Sequence, residues 1–206
     1  MEFVRRAAGS PRRLGVLAGT FNPVTVAHLG LADAARGVCD EVLFVLPRVF
    51  PHKQYSGASL EERVGLLDTA LSGSGGYSLA VTDSGLFVEI AAECRTAYGA
   101  GVRFSFLCGR DAAERIAGWE YGYPGAFAAM LREFDLLVAR RDGDYIPPRE
   151  LSSGIERLDL PDGFDLVSAT EVRERIACGH EWEHLVPPAI RNRVVQIYSP
   201  NRTVTE

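Results

Sequence analysis

Short apolar runs recur along the chain at about 14–19, 41–46, 77–82, 103–108 and 135–140. Most are continuous rather than alternating, the pattern of parallel strands covered on both faces. Between them, at about 26–37, 59–72, 86–98 and 110–118, apolar positions return at helical spacing. The second of these stretches opens on Ser59-x-x-Glu62, a capping-box signal. Gly73-Ser74-Gly75-Gly76 reads as a surface connection, and Tyr121 to Gly125 and Asp142 to Pro148 as loops. Strand alternating with helix predicts an α/β fold, a doubly wound (Rossmann-like) parallel sheet with right-handed crossovers. After residue 150 the pattern shifts to short strand, helix, helix, giving a small helical C-terminal portion that ends near Tyr198. We expect residues 1–13 to be a disordered lead-in and residues 14–200 to form a single domain.

Composition narrows the class. The chain has 206 residues, 47% of them hydrophobic and 24% charged, as in an ordinary globular protein long enough to bury a core. No apolar run is long enough to span a bilayer. The first 13 residues carry four arginines without an apolar core, so they do not read as a secretory signal, and they are short for a transit peptide. A net charge of −5 offers no basic face for nucleic acid. Cys39, Cys94, Cys108 and Cys178 are far apart with no C-x-x-C pairing. They read as buried thiols in a reducing compartment, hence a cytoplasmic location.

The chemistry starts at Gly15 to His28, which reads as strand, tight glycine turn, then a helix carrying Thr25 and His28 in its opening turn. Residues three apart share one helix face, and the free N–H groups of a helix start attract a phosphate. His28 then either contacts that phosphate or packs as a satisfied histidine under the sheet. The segment lacks the G-x-G-x-x-G of a dinucleotide corner and the G-x-x-x-x-G-K-[ST] of a P-loop. In an open α/β sheet, Thr20–His28, Gly109–Asp111 and Ser168–Arg173 would open onto the same carboxyl edge.

G-T-F-N-P-V-T-V-A-H-L resembles the first signature of the nucleotidylyltransferase superfamily, (H/T)-x-G-H after a G-x-F-x-P turn. Pro51-His52-Lys53 with Glu61-Glu62-Arg63 resembles the P-x-H-K…R stretch of nicotinate- and nicotinamide-mononucleotide adenylyltransferases. Phe106 to Asp111 resembles their strand-ending G-x-D, with Trp119 at the place of their tryptophan. Val167-Ser168-Ala169-Thr170-Glu171-Val172-Arg173 resembles their second signature, I-S-S-T-x-I-R, and Leu185 through Tyr198 their closing helix. The resemblance covers about residues 14 to 198.

It implies transfer of AMP from ATP to nicotinate (or nicotinamide) mononucleotide, with release of pyrophosphate, in NAD biosynthesis. His28, Thr25 and Arg173 would be catalytic. Gly19, Thr20, Phe21, His28, Gly109, Asp111, Ser168, Ala169, Thr170 and Arg173 would bind ATP, and Asn22, Lys53, Trp119 and Arg140 the acceptor. Each has a plainer reading: Thr170 and Asp111 as helix caps, Arg173 paired with Glu171 or Glu174, Lys53 as a snorkelling surface lysine, Trp119 as core. Mg²⁺ would arrive on the ATP phosphates, since no acidic cluster suggests a protein-built cage. The partners would be ATP and a phosphorylated small-molecule acceptor, with a homo-oligomer left open and neither nucleic acid nor membrane involved.

Two departures stand out. Thr25 occupies the place where bacterial nicotinate-nucleotide enzymes usually carry histidine, and Ala27 replaces the signature glycine. Where those enzymes have S-Y-T-x-x-T-L, whose threonine and backbone help hold the nicotinate carboxylate, this chain reads Gly85 to Ala91 without a hydroxyl. Recognition of the pyridine substituent is thereby open. Two alternatives stand beside the leading reading: a nucleotidylyltransferase with another phosphorylated acceptor, and a nucleotide-binding sensor without turnover.

Overall fold

The computed structural model describes residues 1–50, 55–119, 121–122, 124–139, 145–160, 164 and 167–200. Strand β1 (Glu2–Arg5) precedes β2 (Arg13–Ala18), α1 (Val26–Ala35), β3 (Glu41–Pro47), α2 (Leu60–Leu71), β4 (Tyr77–Thr82) and α3 (Phe87–Tyr98). Then come β5 (Arg103–Gly109), α4 (Arg110–Ala117), α5 (Ala126–Met130), β6 (Asp135–Ala139), β7 (Ile155–Leu158), α6 (Ala169–Cys178) and α7 (Arg191–Tyr198), with short 3₁₀ turns at Arg149–Gly154, Glu183–Leu185 and Pro188–Ile190.

The strands form one sheet in the order β1-β4-β3-β2-β5-β6-β7, in which only the β1–β4 pairing is antiparallel. Successive strand side chains point to opposite faces. Val42, Phe44 and Leu46 of β3 therefore enter one core, with Leu66 and Leu67 of α2, Val172 of α6 and Val194 of α7. Leu43 and Val45 enter the other, with Ile90 of α3 and the aromatic group Phe104, Phe106, Phe127 and Phe134. Helices thus cover both faces of a mostly parallel sheet, the doubly wound fold expected from the run pattern. At the amino-terminal edge the charges neutralise one another: Arg103 forks onto Asp135 at 2.5 and 2.9 Å, and Arg13 meets Glu156 at 2.9 Å.

The lead-in is not disordered. Glu2–Arg5 pairs with β4, Phe3 opposite Ala80. Its charges are used rather than solvated: Arg5 bonds Asp68 at 2.8 Å, and Arg6 lies over the rings of Phe3 and Tyr98 at 4.7 and 4.8 Å. Four residues ending in arginine carry too little periodicity to reveal a strand, and only tertiary pairing makes it one.

Cys39, Cys94 and Cys108 are buried, whereas Cys178, expected inside, is exposed at the end of α6. Burial pushes the Cys39 thiol up to about 11 and the Cys94 and Cys108 thiols to about 12. Thiolate is the reacting species, so the three buried groups resist modification. We expect an aromatic disulfide reagent to titrate one thiol in the native protein, none in Cys178→Ser, and all four cysteines of the unfolded wild type.

Candidate active site

The order of the sheet reverses between β2 and β5, which places a crevice at the carboxyl ends of these two strands. Out of β2 the chain turns through Phe21 at a φ of 46° and enters α1 at Thr25. Phe21 is buried, its ring edge-on to His28 with centroids 5.1 Å apart and tilted against Phe44 at 5.7 Å. A Cβ on Gly19 would come within 3.2 Å of that ring, so glycine allows the close approach.

Thr25 and His28 form a reciprocal cap. The Thr25 hydroxyl accepts from the His28 backbone N–H, and His28 Nδ1 accepts from the Thr25 backbone N–H at 3.0 Å, with Thr25 Oγ1 also 2.8 Å from Nδ1. Histidine does here what Glu or Gln does in the usual capping box. Because Nδ1 is an acceptor, the hydrogen of the neutral ring is on Nε2, which makes that nitrogen a donor. Thr25 is 0% exposed. In this structure its hydroxyl is engaged with His28 and helps to orient the imidazole.

The second signature enters from the other side. Ser168, not Thr170, is the N-cap of α6, its hydroxyl accepting from the Glu171 N–H at 3.1 Å. Arg173 donates to the backbone carbonyl of Asn22 at 2.5 Å, to that of Ala169 at 3.0 Å and to the Thr170 hydroxyl at 3.2 Å. Glu171 is taken by Arg175. Arg173 thus fastens the start of α6 to the β2–α1 turn, and among the described residues no carboxylate pairs with it.

Asn22, expected against the acceptor, is 4% exposed and its side chain clamps neighbouring segments together. Its Nδ2 donates to the Ser56 carbonyl at 3.3 Å, and its Oδ1 accepts from Ala58 N–H at 3.4 Å and from the Tyr198 hydroxyl at 2.7 Å. Gly57, at φ 134°, is required: a Cβ there would lie 2.3 Å from Asn22 Nδ2. Tyr198→Phe leaves Oδ1 with its long Ala58 bond alone. We expect a loss of about 1–2 kcal/mol, read in urea denaturation.

Arg63 completes this side. It is 3% exposed on the inner face of α2, stacks on Tyr55 at 4.3 Å and donates to the Thr20 carbonyl at 2.8 Å. Burial lowers its pKa, while burial raises those of Tyr55 and Tyr198. An arginine aligned with Leu66, Leu67 and Leu71 on a buried helix face was the signal available in the sequence for this contact.

Beside the turn lies a cavity of about 310 Å³. It is lined by Ala18, Gly19 and Thr20 after β2, by Pro47 and Phe50 after β3, and by Gly85, Leu86 and Phe87 at the start of α3. Ala112, Arg115 and Ile116 of α4 face it together with Trp119 and Tyr121. Phe87 is fixed by stacking on Phe106 at 4.3 Å. Trp119 is 47% exposed, so it is a wall of the cavity and not core. Gly109 caps α4 without a side-chain bond, and Asp111 stands exposed in its first turn. His52, Lys53 and Arg140 lie outside the described residues.

Among the described residues no group of three or more His, Cys, Asp or Glu is placed to hold a metal ion, and no helix is long and apolar enough to cross a membrane.

The model of the cytidylyltransferase-like family matches residues 16–175. The chain is 30% identical over 193 residues to a probable nicotinate-nucleotide adenylyltransferase of Gloeobacter violaceus, covering 86% of this chain and 91% of that one. It is also 30% identical to the Moorella thermoacetica protein of that name, over 89% of both chains. In structure it is similar to Plasmodium falciparum nicotinic acid mononucleotide adenylyltransferase complexed with NaAD, with a TM-score of 0.68 at 15% identity over 88% of this chain and 96% of that one. The chain belongs to the cytidylyltransferase-like family, among the nicotinate-nucleotide adenylyltransferases.

Proposed function

We propose that this protein transfers AMP from ATP to nicotinate mononucleotide, or its nicotinamide counterpart, as a step of NAD biosynthesis. The observation that carries the reading is the Arg173 bond to the Asn22 carbonyl, which joins the two signature segments beside a cavity lined mainly by apolar side chains. The names of the relatives at 30% identity support it.

A phosphate oxygen of the mononucleotide attacks the α-phosphorus of ATP; the bond from that phosphorus to the β-bridging oxygen breaks, and pyrophosphate leaves. The attacking phosphate is already ionised near neutral pH, so alignment and charge stabilisation matter more than a general base. His28, through Nε2–H, and the Arg173 guanidinium stabilise charge on the transferring phosphoryl group, while the starts of α1 and α6 supply backbone dipoles. Gly19, Thr20, Gly109, Asp111 and the Ser168–Thr170 turn line the ATP, and Trp119 stacks on the pyridine ring. Mg²⁺ would accompany the triphosphate and, when bound, would offset charge on the pyrophosphate leaving group. A cytoplasmic setting fits the free thiols.

The test is pyrophosphate release from ATP with a panel of phosphorylated acceptors. Turnover with pyridine mononucleotides is the expected result. Turnover only with another acceptor would replace the substrate, and ATP binding without release under any condition would leave a sensor.

A further inference from the structure

The cavity beside the β2–α1 turn is apolar on nearly every side, and among its described lining residues Arg115 is the single charged side chain. The α3 wall, Gly85 to Phe87, brings no side-chain polar group. Tyr121 lines the cavity too, but its hydroxyl hydrogen is donated inward to the Ile116 carbonyl at 3.0 Å. Arg115 has no carboxylate partner among the described residues, since its neighbour Glu114 faces Arg110 at 3.5 Å. A guanidinium left unneutralised at the wall of an apolar slot is suited to a flat ring that carries an anion.

Its place along the cavity decides which anion. The transferring phosphate is assigned above to His28 and Arg173, neither of which lines the cavity. Arg115 is in the second turn of α4, about 9 Å of helix rise beyond the end of β5, and four residues before Trp119. A planar donor on the same wall as that tryptophan addresses the substituent of a ring stacked on it, while the phosphate is left to His28 and Arg173 outside the lining.

We propose that Arg115 reads the acceptor's ring substituent, pairing with a pyridine carboxylate and so selecting nicotinate mononucleotide over its amide. The assignment rests on the pyridine-mononucleotide acceptor proposed above. A carboxylate accepts both hydrogens of the guanidinium fork, whereas an amide offers one oxygen and directs two hydrogens at the cation.

The experiment compares kcat and KM for nicotinate and nicotinamide mononucleotide in wild type, Arg115→Ala and Arg115→Gln. Arg115 is exposed on α4, so the variants should keep the wild-type Tm. Each should lose about 10- to 100-fold in kcat/KM for the acid, mainly through KM, the range for a charge-assisted bond. Values for the amide should stay within about threefold, collapsing the preference. Equal losses for both mononucleotides, or no loss for the acid, would overturn the role of Arg115 while leaving the adenylyltransferase reading intact. A wild type that turns over neither mononucleotide would defeat the acceptor assignment itself, and this inference with it.

Discussion

His28→Ala lowers kcat for pyrophosphate release by about 100-fold or more, the scale seen when one preorganised donor is removed from developing charge. Affinity for ATP falls much less, because the donor acts chiefly on the transition state. Stopped-flow single turnover alongside equilibrium ATP titration separates the two quantities. The variant also loses half of the Thr25–His28 cap, which adds a structural contribution. His28→Gln distinguishes these contributions. Its carbonyl can return to the Thr25 N–H and rebuild the cap, but the side chain lacks a donor across a rigid ring. The Tm should recover while turnover stays at least about tenfold low. Unchanged turnover in the alanine variant would remove His28 from the chemistry.

Arg173→Ala should reduce kcat/KM for ATP by about 100- to 1,000-fold, through two losses at once. The cation proposed to meet the phosphates disappears, and the Asn22 carbonyl, the Ala169 carbonyl and the Thr170 hydroxyl lose their shared donor. Arg173→Lys is the informative companion. Lysine keeps the charge but is a point donor on a flexible stem, unable to hold those oxygens and a phosphate together. It should recover less than about tenfold of the loss, since geometry and not charge alone is required. Full rescue by lysine would show that the fastening of the β2–α1 turn is incidental to turnover.

The sheet was legible because its strands are buried on both faces and so appear as unbroken apolar runs; β2 to β6 lie within a residue or two of those runs. β1 was not, because a four-residue edge strand ending in arginine is made by pairing with β4 and by Arg5–Asp68, neither of which is local in sequence. α5, only five residues after a glycine-rich loop, is too short for a helical period to register. In the site, signature positions were identified but several roles were not. Thr25 and Asn22 look like polar groups facing a ligand; in the fold they are buried and bound to His28, Ser56, Ala58 and Tyr198. Side-chain direction at a turn depends on packing that spacing does not encode. The cavity wall was hidden for the same reason: Phe50, Leu86, Arg115 and Tyr121 come from separate loops and helices that meet only in three dimensions.

The bond between Tyr198 and Asn22 joins residues 176 positions apart. During translation Asn22 leaves the ribosome early, yet its clamp cannot close until the helix bearing Tyr198 has also emerged. A nascent chain can therefore pair most of its strands while its β2–α1 turn still lacks its last support. Competence for nucleotide chemistry should then arrive late in synthesis, when that helix docks, and not with the first formed sheet.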